Sequence, residues 1–111
     1  MPGSVEQRTA SLAKANRIRF AKAREHAAIA ALSRRDGCAR AAAVLAGVPG
    51  SDLEAMTLSY LLCSIRSVAP MTAERMGREA LGWDWNPLRL ARPLRELTAR
   101  ERTDLIAYLT G

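Results

Sequence analysis

At 111 residues the chain has room for one hydrophobic core and little surface to spare for a second domain. Aromatics make up only 5 % of it while Ala and Leu dominate, which argues against a sheet of β-branched and aromatic strands and for an all-α fold of closely packed helices. A net charge of +6 and a pI near 10.3 point to a polyanionic partner, whether DNA, RNA or an anionic membrane surface.

From Val5 to about Ser33 there is neither Gly nor Pro, and Ser4 followed by Gln7 has the spacing of a capping box, so one long first helix is expected, ended by Asp36-Gly37. On a helical wheel Leu12, Phe20, Ala23, Ala27 and Ala31 gather on one face, small enough for close contact with another helix. Arg8, Arg19, Lys22 and His26 flank that face on one side, with Lys14, Arg17 and Arg24 toward the other. Adding Arg34, Arg35 and Arg40 and subtracting Glu6, Glu25 and Asp36, residues 1–40 carry the whole positive excess. Residues 1–35 are therefore set apart as a long basic helix, an arm as much as a core element, from a helical unit over 36–111.

Cys38 to Ala46 has helical propensity and is stopped by Gly47 and the turn signal Val48-Pro49-Gly50-Ser51. Asp52 to Met56 makes at most one turn. Thr57 then caps a helix with Leu58, Leu61, Leu62 and Ile65 at helical spacing, the strongest core signal in the chain. Pro70 suits the first turn of another helix, expected over Met71–Leu81 with Gly82 at its end. Trp83 and Trp85 are expected to pack, and an arginine-rich connection follows through Arg95. Thr98 with Glu101 is a second capping box, opening a last helix over Ala99–Thr110 with Leu105, Ile106 and Leu109 inward.

Cys38 and Cys63 lie outside any metal-ligand spacing and are expected as small buried residues in a reducing cytoplasm. No apolar run approaches the ~18 residues of a membrane span, so a soluble intracellular protein is expected. There is no nucleophile paired with a base and no glycine-rich phosphate loop, so neither catalysis nor a cofactor or metal is expected.

Helix, tight turn, helix over Leu58–Leu81 is an arrangement in which turn amides and a helix N-terminus can receive a phosphate oxygen. Here the chain resembles the actinobacterial, mycobacterial-type integration host factors. The likeness is closest at Met56-Thr57-Leu58-Ser59-Tyr60-Leu61-Leu62, at Val68-Ala69-Pro70-Met71-Thr72-Ala73, and at Leu94-Arg95-Glu96-Leu97 with Arg100-Glu101-Arg102. The resemblance implies a helix-two-turn-helix, nucleoid-associated protein that binds duplex DNA with little sequence preference, bends or compacts it, and can assist a site-specific recombinase. The family shows Gly, a basic residue, and another basic residue two positions on, where this chain has Ala69, Pro70 and Thr72. Losing the glycine matters if the turn needs positive φ, and Pro70 removes an amide donor. The candidate DNA contacts are Arg17, Arg19, Lys22 and Arg24 on the first helix, Arg66, Ala69, Met71, Thr72, Arg75 and Arg78 around the hairpin, and Arg89, Arg92 and Arg95 beyond it.

Three blander roles stand beside these. Arg75 and Arg78 can pair with Glu74 or Glu79, and the Arg89 series can be the outer side of a short helix whose inner side is Leu88 and Leu94. The first helix can also present its apolar face to a partner, making the chain a protein-interaction adaptor or phage accessory regulator that never touches DNA.

Overall fold

Leu58, Leu61, Leu62 and Ile65 are all at most 1 % exposed, and the rest of the molecule is wrapped around them. The computed structural model describes residues 5–82 and 87–111, and its elements are α-helices and short 3₁₀ turns. In chain order these are α1 (Val5–Ala30), α2 (Arg34–Ala46), α3 (Leu58–Ser64), α4 (Pro70–Leu81), 3₁₀ turns over Pro87–Ala91 and Leu94–Glu96, and α5 (Ala99–Thr110). The fold is all-α.

The first two helices meet differently from the expectation. Ser33 leaves helical geometry (φ −60°, ψ 162°) and its hydroxyl accepts from the Asp36 N–H at 3.2 Å, so a new helix starts at Arg34 rather than Cys38. Asp36-Gly37 therefore sits inside α2 and terminates nothing. Gly37 is buried there, and a methyl group on it would stand 3.5 Å from the Ile29 side chain and 3.6 Å from that of Ile65.

Thr57 caps α3 as expected, accepting from the Tyr60 N–H at 3.1 Å, and Thr98 with Glu101 closes a full capping box on α5. The segment around Pro93 runs antiparallel to residues 56–58, with the Leu94 N–H donating to the Met56 carbonyl at 2.7 Å and the Leu58 N–H to Arg92 at 3.3 Å. That docking drives Leu94 fully into the core, whereas Leu88, expected beside it, is 72 % exposed. Leu105 and Leu109 of α5 are buried and Ile106 packs at the edge of the core. Cys38 and Cys63 are only half-buried, packed against the core from outside. Ser4, Trp83 and Trp85, for which a cap and packing roles are expected, lie outside the described residues.

α1 packs on α2 and α3 through its C-terminal half only. From Val5 to Arg17 every residue is exposed, and this projecting half lifts the radius of gyration to 15.3 Å, against ~13 Å for a compact domain of this length. The face that packs carries Ile18, Ala21, Lys22, Glu25, His26, Ala28 and Ile29. The expected contact face is the wrong one: Leu12, Phe20, Ala23, Ala27 and Ala31 all point to solvent. Glu25 and His26 can lie against the body because partners elsewhere in the fold satisfy them.

Candidate nucleic-acid interface

The rotation of α1 about its own axis decides which of its cations face the rest of the fold. Ile29 is fully buried against α2 and α3, the Glu25 carboxylate accepts from Arg40 at 2.8 and 3.1 Å, and the His26 ring packs on Tyr60 with centroids 4.7 Å apart. At about 100° per residue this setting places Arg8, Arg19 and Lys22 on the flank shared by His26 and Ala30. Arg17 and Arg24 lie on the opposite flank, where Arg17 reaches Asp52 at 3.2 and 3.4 Å.

His26 and Ala30 form one wall of a groove whose other wall is the α3–α4 turn, Cys63 to Ala69. Arg19 and Lys22 stand about 10 and 6 Å from His26 along the same helix, at 1.5 Å per residue. Arg66 is exposed in the turn itself. The left-handed residue of the turn is Ser67 (φ 68°), not position 69: Ala69 is extended at φ −87°, ψ 167°. The family's glycine is thus not required by the backbone here, which removes the objection that its loss would strain the turn. Pro70 opens α4 at its first position, where no intrahelical donor is lost, and leaves the Met71 and Thr72 N–H groups at the open end of the helix.

Along α4, Met71, Arg75 and Arg78 face outward beside Thr72 and Glu74, with Glu74 3.5 Å from Arg78. One turn beyond Arg75 on the same helix the Tyr108 hydroxyl donates to Glu79. That hydrogen bond and burial hold the tyrosine pKa above its ordinary 10.0, while Arg34 and Arg75 pull the other way. Arg34 also opposes the upward push that burial gives the Cys38 thiol. Arg34 and Arg75, 41 positions apart in sequence, therefore both act on the charge of one tyrosine.

Arg34 was not among the expected contacts, nor was Arg35. Both occupy the first turn of α2, where cations oppose the helix dipole, and Ser33 with Asp36 is the sequence signal that places them there. Placing cations at that end gains nothing for the helix, so another use for them is indicated.

The other expected contacts lie elsewhere. Arg89 bonds Glu101, and Arg92 stands 3.9 Å from Glu96. Arg95 is exposed while its N–H donates to the Glu54 carbonyl at 3.0 Å. This segment sits at the N-terminal end of α3, a helix length of ~10 Å from the turn. Burial works against the charge on Glu101, but the Thr98 N–H and Arg89 outweigh it and hold the carboxyl below its ordinary 4.5. The thirteen expected contacts thus divide into a group around the turn, a pair on the far flank of α1 and a group at the other end of α3.

Among the described residues no cluster of three or more His, Cys, Asp or Glu could hold a metal ion, and no helix is long and apolar enough to cross a membrane. Comparison of the chain with protein-family models, curated proteins and solved structures finds no match.

Proposed function

We propose that the protein binds duplex DNA through its phosphates with little sequence preference, in the manner of a nucleoid-associated, integration host factor-like protein. One observation carries this reading. Arg66 lines the groove between α1 and the α3–α4 turn, Arg19 and Lys22 lie on the flank of α1 that forms its other wall, Arg75 follows on α4 and Arg34 opens α2, and none of these five is in an ion pair among the described residues. Guanidinium groups left without carboxylates meet phosphate oxygens in a planar, two-point fashion. Arg17, Arg78 and Arg92 are held by exposed ion pairs worth at most ~1 kcal/mol, so phosphates can compete for them. Bending or compaction of the duplex, and help to a recombinase, belong to this proposal as its finer part.

The test is retention of a short duplex of random sequence across a salt series. If five phosphates are neutralised, the association constant should fall with a log–log slope of about −4.5, and scrambling the sequence should leave it unchanged. No retention at low salt would sink the DNA reading. It would leave the adaptor reading, which has its own observation in the outward placement of Leu12 and Phe20, 65 % and 68 % exposed.

A further inference from the structure

The chain has one histidine, and the fold puts it in the wall of the groove beside the α3–α4 turn. His26 is half-buried on α1 and its ring rests on Tyr60, with 4.7 Å between centroids, so the imidazole is held in place before anything binds. Ala30 continues its wall, and Arg66, Ser67 and Ala69 line the groove with it.

The groups around the ring that can carry charge are few. Lys22 lies one turn before it and Arg19 two turns before it on the same flank of α1, Tyr60 and Cys63 come from α3, and Arg66 comes from the turn. Glu25, the preceding residue, is engaged by Arg40, and no carboxylate lines the groove among the described residues. An imidazolium here therefore has cations for neighbours and nothing of opposite sign to pair with. A phosphodiester entering the groove would supply that charge, while Ala30 and Ala69 offer small apolar surface to its sugar.

We propose that His26 is a phosphate-contacting residue that takes up a proton together with the duplex: a phosphate held against Arg66 and Lys22 draws the proton from solvent onto the ring. This role rests on the DNA reading above and adds to it a dependence on pH. Arg and Lys keep their charge across the neutral range, so the one histidine is the side chain through which acidity reaches the interface. Linkage fixes the sign. Phosphate favours the protonated ring, so the protonated ring equally favours phosphate, and affinity rises as pH falls. A single proton limits that rise to about tenfold per pH unit.

Duplex retention by the full chain, measured across a salt series at about pH 5.5 and about pH 8, tests this. The log–log salt slope should be steeper by about 0.9 at the acid pH, as for one more phosphate contact. His26→Gln should remove the difference, and His26→Arg should give the steeper slope at both pH values. Because the chain has a single histidine, its ring signals can also be followed by NMR in the unsubstituted protein, and their titration midpoint should move to higher pH when saturating duplex is added. A histidine that only packs on Tyr60 would show none of this. Retention that ignores pH, a pH difference that survives His26→Gln, or a midpoint unmoved by duplex would overturn the role of His26 and leave the DNA reading standing. No retention at either pH would overturn both.

Discussion

Arg40 of α2 holds Glu25 of α1 by two hydrogen bonds, 2.8 and 3.1 Å long, from its Nε and one terminal nitrogen. The two side chains come from neighbouring helices and their pairing restrains how α1 is turned, and so which of its flanks faces the α3–α4 turn. The carboxylate raises the already high pKa of Arg40, first by the hydrogen bond and then by its charge.

Arg40→Met should lower the melting temperature by at most a few degrees, as for the loss of an exposed ion pair. It should also weaken duplex binding, although Arg40 lies away from the turn, because α1 loses its angular restraint. A variant with lowered stability and unaltered binding would show that the packing of Ile29 alone sets the rotation.

The α3–α4 turn gives a paired comparison. Ser67→Gly should stabilise the fold by ~1 kcal/mol, since glycine adopts φ 68° without the penalty a side chain carries. Ala69→Gly, which restores the residue expected from the family resemblance, should instead cost ~0.5 kcal/mol by adding freedom to the unfolded chain at an extended position. Chemical denaturation of the two variants decides it, and the opposite order would mean that the turn rearranges.

The pH dependence turns on Glu101. Its carboxyl titrates below the ordinary 4.5 in the folded protein, so its contribution is fully present above that value and is lost as pH falls through the depressed folded value. Glu101→Gln should therefore lower stability at neutral pH, flatten the acid limb of the stability curve between those two values, and cost ~1 kcal/mol as a cap. Urea midpoints measured from neutral to acid pH check this; parallel acid limbs for wild type and variant would exclude Glu101 as a source.

On the proposed function the two flanks of α1 are unequal. Removing Arg19 and Lys22 should weaken duplex retention and reduce the salt slope by about 2, whereas removing Arg17 and Arg24 should change it by less, since Arg17 already serves Asp52. The reverse ranking would move the contact surface to the other side of the helix.

The sequence made the interior of this fold easier to see than its arrangement. Leu58, Leu61, Leu62 and Ile65 announce a buried stripe because apolar spacing is a local signal, and Thr57 and Thr98 announce helix starts because a cap acts over three residues. The break before α2 was visible in Ser33 and Asp36, but Gly37 suggested a stop although a buried helical glycine serves equally well where two helices approach closely. The buried face of α1 was not legible, because it includes Glu25 and His26, whose partners Arg40 and Tyr60 come from other helices. Apolar periodicity counts Leu12 and Phe20 and passes over such residues. For the same reason the influence of both Arg34 and Arg75 on Tyr108 could be found only in three dimensions.

No residue between Val5 and Arg17 takes part in the core, so substitutions there leave the fold's stability almost untouched. Selection can accordingly revise this half of α1 one residue at a time, altering charge, reach or partner preference without first accumulating compensating changes in the interior. Related chains should then differ most along this segment and least in the four apolar residues of the α3 stripe.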